Sequence, residues 1–125
     1  MKVLKDMESR EKSRLCIHAA LNKKALDLIL LDVRKVSSFA DYFIICSGQS
    51  SRHVQGIASF IEESLAKQGI YPLGIEGFTQ GSWILMDYNE VIIHIFYKPI
   101  REFYDLEGLW SGAKRIETEF EELRI

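Results

Sequence analysis

The stretch GSWILMDYNEVIIHIF, residues 81–96, holds the side chains best suited to chemistry in an otherwise apolar part of the chain. His94 could serve as a general acid or base or as a metal ligand, and Asp87 offers a carboxylate in the same stretch. Trp83 is a flat amphipathic ring of the type enriched where proteins bind one another. Three alternatives follow for this stretch: buried packing, a catalytic group, or a surface recognised by another molecule.

An enzyme site needs groups that converge. Metal-assisted phosphoryl transfer requires two or three carboxylates on neighbouring strands. Glu76 and Asp87 are available, but a histidine stands at 94 where a further acid is wanted, and Asp-x-Asp occurs nowhere in the chain. A triad of Ser47, His53 and Asp41 can be written, although nothing in the sequence brings the three together. We therefore expect no catalytic residues, no metal and no cofactor.

The segment ICSGQSSR, residues 45–52, resembles a small turn between a strand and a helix, where backbone N–H groups can hold an anion. The GxxxxGK[ST] pattern of a phosphate-binding loop is absent. A plain strand-to-helix connection capped by serine is the favoured interpretation.

Hydrophobic periodicity predicts the elements that must position these residues. Helices are predicted at residues 10–24 and from Ser50 or Ser51 to about Lys67, with short ones in PIREFY and LEGLW. Strands are predicted at residues 25–34 and 42–47, in IYPLGIEG with Pro72 indicating an edge, and in the two arms of residues 81–96. The strand at 42–47, its helix and IYPLGIEG suit a crossover that joins parallel strands. The predicted class is α/β (α+β), with a mixed five-stranded sheet backed by helices.

The hairpin within residues 81–96 turns at Asp87-Tyr88-Asn89-Glu90, which predicts that Trp83 lies opposite His94. Because side chains alternate across a sheet, one face of the hairpin is wholly apolar: Ile84, Met86, Val91, Ile93 and Ile95. The other face is mixed: Trp83, Leu85, Asp87, Glu90, Ile92, His94 and Phe96. The first suits packing under helices. The second suits either a partly covered face with Trp83 stacked on His94 or a binding surface.

The segment REFYDLEGLW, residues 101–110, places aromatic rings beside charged groups, as interface hot spots do. We assign Phe103 and Leu109 to packing and Tyr104, Leu106 and Glu107 to binding. Trp110 suits either role.

The composition is that of a single domain spanning residues 1–125, with residues 1–9 and 116–125 as frayed ends. The formal net charge of −2 argues against a wholly nucleic-acid-binding surface. Residues 1–24 carry +4 and the remainder −6, and an acidic body suits a basic protein partner. Cys16 and Cys46 are predicted to be buried thiols in a protein of a reducing compartment. No apolar run is long enough to span a membrane. The cytoplasm is the expected location.

Several of these segments in this order strongly resemble the Iojap/RsfS family of ribosomal silencing factors: ADYFIICSGQSSRHVQGIA, IEGFTQGSWILMDYNEVIIHIF and REFYDLEGLW. The similarity covers roughly residues 10–115. It implies a nucleotidyltransferase-like fold without the catalytic carboxylates of those enzymes, and a protein that is not an enzyme. The rival interpretation is a nucleotide-binding enzyme of that fold that uses the turn at Gly48, with Glu76 and Asp87. A third is direct RNA binding through the basic N-terminal segment.

The resemblance also implies a partner and a site. The implied partner is the large ribosomal subunit, bound through ribosomal protein L-fourteen on the face where the small subunit docks. Binding there would block subunit association and repress translation under nutrient limitation, and the free protein would be a homodimer. No membrane and no sequence-specific nucleic acid is implied. The family pattern is carried onto the following partner-binding residues: Trp83, Asp87, His94, Phe96, Arg101, Tyr104, Leu106, Glu107 and Trp110.

Overall fold

The computed structural model of the protein describes residues 2–116, with side chains from residue 9 onward. The helices are α1 (Lys2–Asn22), α2 (Ser51–Ala66), α3 (Lys98–Tyr104) and α4 (Leu106–Leu109). The strands are β1 (Leu26–Asp32), β2 (Tyr42–Gly48), β3 (Gly74–Glu76), β4 (Trp83–Asp87), β5 (Val91–Tyr97) and β6 (Lys114–Arg115). Among the helices of this part of the chain, none is long and apolar enough to cross a membrane.

The mixed sheet backed by helices is confirmed, but within the described residues it has six strands rather than five, in the order β3-β4-β5-β2-β1-β6. The strand β6 is only two residues long and basic, so no hydrophobic pattern in the sequence predicts it. β3 is an edge strand, as Pro72 indicated. The predicted crossover that joins parallel strands is confirmed: β5 is parallel to β2 and antiparallel to β4, and β4 is antiparallel to β3, so β2 and β3 run parallel without being neighbours. The α2 crossover therefore carries the chain past two strand positions.

One face of the sheet packs against α1 and α2. The predicted helix from Ser50 or Ser51 to about Lys67 is confirmed, and five apolar side chains at helical spacing form its buried stripe: Val54, Ile57, Ala58, Ile61 and Leu65. Ser50 caps this helix by accepting a hydrogen bond from the His53 backbone N–H at 3.0 Å. Helix α1 begins at Lys2 rather than at residue 10. The helix as a whole has only a weak amphipathic stripe, so hydrophobic periodicity did not predict its early start.

The frayed ends predicted at residues 1–9 and 116–125 stay a prediction. The helical assignment from Lys2 covers most of the first segment. Ile116 donates its backbone N–H to the Leu30 carbonyl at 2.9 Å, so the sheet holds this residue. Residues 117–125, with the acidic tail that was predicted to fray, lie outside the described residues.

The hairpin formed by β4 and β5 has a register two residues away from the predicted one. Trp83 pairs with Phe96, and Leu85 pairs with His94. Tyr88 extends the ladder by donating its N–H to Val91, and its buried ring explains why it does not belong to the turn. The tight turn is instead at Asn89, which adopts a φ of 74°. A shift of two residues leaves every side chain on its predicted face, and the wholly apolar face is confirmed as buried core.

The second face of the sheet supports a smaller core beneath residues 98–113, which we call the C-terminal segment. This core joins residues of β1, β2, their connection, β5 and α4: Ile29, Leu31, Val33, Ala40, Phe43, Ile45, Phe96 and Leu106. The segment covers β1, β2 and part of β5 and leaves the face of β3 and β4 partly open to solvent. The boundary between the covered and open halves runs along Trp83 and Ile92, which are half-buried.

We expect Ile93→Ala to lower the free energy of unfolding by about 2–5 kcal/mol, because Ile93 is fully buried under the helices and its truncation leaves a cavity. Phe103→Ala is the control, since an exposed side chain contributes about 0.5 kcal/mol or less. Urea denaturation followed by circular dichroism measures both. Equal losses for the two variants would contradict the assignment of the helix-covered face as the main core.

Candidate functional site

The open half of the second face carries aromatic, aliphatic and acidic side chains, which are residue types that suit protein binding. Trp83, Leu85 and Asp87 of β4 are half-buried on this face, and Glu76 of the neighbouring edge strand is exposed beside Leu85. On the C-terminal segment, Tyr104 stands against Trp83 with ring centroids 5.1 Å apart. Aromatic and carboxylate groups thus alternate over a surface that solvent can reach.

Trp83 is held by three neighbours. Its ring stacks on Phe96 at 4.8 Å with an angle of 28°, and Tyr104 packs against another side. Its indole Nε1–H donates a hydrogen bond to Nδ1 of His94 at 3.2 Å. The predicted stack of Trp83 on His94 is wrong, because the shifted register puts Phe96 opposite Trp83 and leaves His94 diagonal to it. The half-buried indole is therefore fixed in place while part of it faces solvent.

His94 is an acceptor for Trp83 rather than a surface group. Its side chain is only 6% exposed, and its ring meets the edge of Phe43 at 5.4 Å. Burial disfavours the charged imidazolium and lowers the pKa of His94 to about 4. Since Nδ1 accepts the tryptophan hydrogen bond, the neutral ring carries its proton on Nε2. Contact between His94 and a partner, as the resemblance implied, would require the surrounding segment to move.

Arg101 is the second predicted contact residue that the structure buries, with 8% exposure. Its Nη1 donates to the Asp27 carbonyl at 2.7 Å and to Ser47 Oγ at 2.9 Å. Its Nε and Nη2 reach Glu107 Oε2 at 3.1 and 2.9 Å. The Asp27 carbonyl is available because β1 has an irregular register between Leu26 and Ile29. One guanidinium thereby joins α3 to β1, β2 and α4, which makes Arg101 a structural residue.

Glu107 is not the exposed acid that the sequence suggested. It is half-buried and paired with Arg101. Burial works to raise the pKa of Glu107, but the hydrogen bond and the positive charge of Arg101 outweigh it, so the pKa lies below its usual value. A charge reversal at Glu107 therefore acts on the fold as well as on any partner.

The roles predicted within residues 101–110 are partly reversed. Phe103 and Leu109, assigned to packing, are 81% and 77% exposed, whereas Leu106, assigned to binding, is 9% exposed. The physical reason is Asp105, whose φ of 46° ends α3 and starts α4 in a new direction. A single helical periodicity therefore does not run through both helices. Trp110 is half-buried and meets the edge of Phe43 at 4.8 Å.

The nine residues carried over from the resemblance fall into two groups. Trp83, Asp87, Tyr104, Glu107 and Trp110 retain surface that a partner could reach. His94, Phe96, Arg101 and Leu106 are buried beneath or within the C-terminal segment of the free chain, and their partner contacts stay a prediction. Sequence reasoning missed Phe103 and Leu109 as exposed apolar groups, and the only signal for them was the density of aromatic and leucine side chains in REFYDLEGLW.

The residues considered for catalysis do not converge. Ser47 Oγ accepts a hydrogen bond from Arg101, and the two ring nitrogens of His53 bond to backbone groups of Gln49 and Lys23. The His53 residue is half-buried. Across the described residues, no group of three or more histidine, cysteine or carboxylate side chains could hold a metal ion. Cys16 and Cys46 are buried free thiols, as predicted.

Comparisons with known proteins agree with this architecture. A family profile described as "Ribosomal silencing factor during starvation" matches residues 6–124. The chain is 40% identical over 112 residues to ribosomal silencing factor RsfS of Bacillus subtilis, covering 88% of this chain and 95% of that protein. It is 34% identical over 107 residues to the chloroplastic protein Iojap of Zea mays, covering 85% of this chain and 46% of that protein.

A solved structure shows the same fold. The crystal structure of a Chromobacterium violaceum protein superimposes with a TM-score of 0.81 at 35% sequence identity, and the match covers 85% of this chain and 88% of that one. A Bacillus halodurans crystal structure superimposes with a TM-score of 0.78 at 35% identity, covering 86% and 98% of the two chains.

We expect Glu107→Arg to destabilise the free protein by about 3 kcal/mol, because it removes the partner of a buried guanidinium and adds a like charge beside it. Glu102→Arg is the matched control, since Glu102 is exposed on the same segment and its reversal should cost about 0.5 kcal/mol or less. Denaturant unfolding compares the two. Equal stability of both variants would show that the Arg101–Glu107 pair does not hold the C-terminal segment.

We also expect the protein to lose stability as the pH falls from 6.5 toward 4. The pKa of His94 is about 4 in the folded state against 6.5 for the free side chain, so between these values the unfolded chain binds the additional proton. The loss over this window is about 3 kcal/mol. Carboxylates such as Glu107 have usual values near 4.5 and contribute mainly below it. Unfolding curves at several pH values should show the dependence in the parent and not in His94→Asn.

Proposed function

The chain belongs to the family of ribosomal silencing factors, and on that premise we propose that it binds the large ribosomal subunit and prevents its association with the small one. Binding takes place through ribosomal protein L-fourteen, and the outcome is repressed translation under nutrient limitation. The protein acts in this way without catalysis, in the cytoplasm where subunits associate. The free protein forms a homodimer, and size-exclusion chromatography with light scattering tests that part separately.

The observation that carries the proposal is the fixed but partly exposed Trp83 on an open, acidic sheet face. Ribosomal proteins that contact RNA are basic, and a face bearing Asp87 and Glu76 complements a basic surface. Flat aromatic anchors with little freedom lose little entropy on binding, and three neighbours already hold Trp83. Phe103 and Leu109 add exposed apolar area on the adjoining segment.

We define the binding surface by these residues: Trp83, Leu85, Asp87, Phe103, Tyr104 and Leu109. Trp83 and Tyr104 stand in contact at its centre, and Phe103 meets Tyr104 edge-on at 5.2 Å. Asp87 in this surface and Glu76 opposite Leu85 add carboxylates beside the aromatic centre, and protein interfaces usually combine an apolar core with a polar rim. Phe96, His94 and Arg101 support the surface from below.

The alternative of a nucleotide-binding enzyme has less support. A cavity of about 310 Å³ beside Arg101 is lined by four carboxylates and two cations: Asp27, Glu102, Asp105, Glu107, Lys98 and Arg101, together with Ser47. One of the two cations is already paired with Glu107. An excess of negative charge disfavours the phosphates of a nucleotide.

The direct test is sucrose-gradient sedimentation with purified subunits. We expect the protein to travel with large subunits and not with small ones, and to reduce the yield of joined ribosomes. Sedimentation only with small subunits would end the proposal. A metal-dependent nucleotide transfer that is abolished by Asp87→Asn would favour the enzyme instead.

Variants of the binding surface sharpen the test. Trp83→Ala should weaken binding to isolated ribosomal protein L-fourteen about 30-fold, as expected for a central anchor worth roughly 2 kcal/mol. Asp87→Asn should weaken binding chiefly at low salt, because it removes a charge but keeps an oxygen that can accept the Asn89 N–H. Binding is measured by isothermal titration at two salt concentrations.

Two control variants change exposed residues outside the binding surface. Tyr71→Ala removes an aromatic ring that is 68% exposed, and Glu63→Gln removes a charge from the outer side of α2. Both should bind as the parent does. If Trp83→Ala lowers the melting temperature of the free protein as far as Ile93→Ala does, then Trp83 is a core residue and not an anchor.

A further inference from the structure

A short loop joins β3 to β4, and the first residue of β4 is Trp83. The loop runs from Gly77 to Gly81, and Gly81 closes it by donating its backbone N–H to the Gly77 carbonyl at 3.1 Å. The two glycines have φ angles of 81° and 67°, which residues with a side chain rarely adopt. The loop is therefore a closed turn that ends two residues before the central aromatic ring of the binding surface.

Gly77 lies directly against the backbone of Trp83. A Cβ atom at Gly77 would lie 2.1 Å from the Trp83 carbonyl oxygen, far inside van der Waals contact. The atom that it would meet belongs to the backbone, so no flexible side chain could move aside. The loop thus forms a close backbone support for Trp83.

The first turns of α2 hold the same loop from another side. The Gln55 side-chain Nε2 donates to two carbonyls, that of Phe78 at 2.9 Å and that of Thr79 at 3.1 Å. An amide NH2 group has two N–H bonds, so one glutamine can serve both carbonyls. A Cβ atom at Gly81 would lie 2.9 Å from the Ser51 carbonyl oxygen. Side-chain and backbone contacts therefore fix the loop to α2.

The contacts of the loop complement those of the indole ring. Phe96, Tyr104 and His94 contact the ring of Trp83, whereas the loop contacts its backbone. A side chain keeps one position only when its backbone and its ring are both held. An anchor held in this way loses less freedom when a partner binds.

We propose that the loop Gly77–Gly81 positions Trp83 for the protein partner, with Gly77 and Gln55 as its positioning residues. This inference rests on the proposed function. Neither residue has to touch the partner, because each acts through the backbone that carries the anchor. A residue of α2, the helix that covers the first face of the sheet, thereby influences binding at the second face.

A purely structural role of the loop would give a different pattern of effects. Both hydrogen bonds of Gln55 lie in an exposed part of the molecule, where water can replace a lost donor, so their removal costs little stability. Support of the fold alone would not depend on the ring at position 83. Positioning of Trp83, in contrast, affects binding only while that ring is present.

The first experiment replaces Gln55 with methionine, which has a similar length but no N–H donor. We expect Gln55→Met to weaken binding to isolated ribosomal protein L-fourteen about 3–10-fold, as expected when one more side chain must be ordered on binding. In a Trp83→Ala background, the same change should have no further effect. Gln68→Met is the matched control at an exposed position just after α2 and should bind as the parent does. Isothermal titration measures all four proteins.

The second experiment places a methyl group between the loop and Trp83. Gly77→Ala should weaken binding at least as much as Gln55→Met, because its Cβ collides with the Trp83 carbonyl. Gly69→Ala is the control, since Gly69 has a similar φ of 74°, but in the part of the chain that the structure describes a Cβ there meets no atom beyond its chain neighbours within 4 Å. This control carries the backbone strain without the collision and should bind as the parent does. If Gly77→Ala does not fold, Gln55→Met decides.

A spectroscopic measurement on the free protein tests the positioning without a partner. The chain has two tryptophans, so Trp110→Phe leaves Trp83 as the single emitter. Time-resolved fluorescence anisotropy reports the nanosecond motion of that ring. In this background we expect a larger fast component for Gln55→Met and Gly77→Ala, and an unchanged one for Gly69→Ala. The melting temperature of Gln55→Met should fall by about 5 °C or less.

The outcomes are distinguishable. If the parent binds neither large subunits nor the isolated protein, the proposed function fails and this inference fails with it. If the parent binds and Gln55→Met keeps its affinity, or leaves the motion of Trp83 unchanged, only the positioning role is overturned. An equal loss of affinity in the Trp83→Ala background would show that the effect does not pass through Trp83 and would also overturn it.

Discussion

The buried guanidinium of Arg101 is the constraint on which the second face of the sheet depends. A charge removed from water is tolerated only when hydrogen bonds replace its hydration, and here the replacements come from β1, β2 and α4. These groups lie on separate elements, so α3 can dock on the sheet in one position. That position places Leu106 in the core and leaves Phe103 and Leu109 outside. The composition of the exposed surface thus follows from how one internal charge is satisfied.

The docking of α3 on the sheet also determines the protonation state of His94 and the orientation of Trp83. Once the C-terminal segment covers β5, His94 loses its water and stays neutral, so its Nδ1 is available to the indole N–H. Phe96 lies beneath Trp83 and Tyr104 lies beside it, and these two rings complete the support of Trp83. Trp83 is therefore neither a simple core residue nor a mobile surface ring. In the proposed function its orientation is set before a partner arrives, which lowers the entropic cost of binding.

Much of the fold could be predicted from the sequence because it rests on local alternation and local periodicity. The buried stripe of α2, the apolar face of the hairpin and the edge position of β3 all follow from patterns within a few residues. The predicted hairpin register was wrong by two residues, since Tyr88 lies in the ladder and not in the turn. The face assignment survived because a shift of two preserves the alternation. The order of residue types along the chain also carried the family resemblance.

The tertiary structure alone decided which of the remaining residues are buried. Arg101 and Glu107 look like exposed surface charges in the sequence, because their partners include the backbone of Asp27 and the hydroxyl of Ser47, far away along the chain. β6 has no pattern of its own and exists through pairing with β1. The sequence by itself determined the elements other than β6, the two faces of the hairpin and the family. Contacts between segments that are distant in the sequence determined which side chains a partner can reach. Local hydrophobic periodicity cannot predict such contacts.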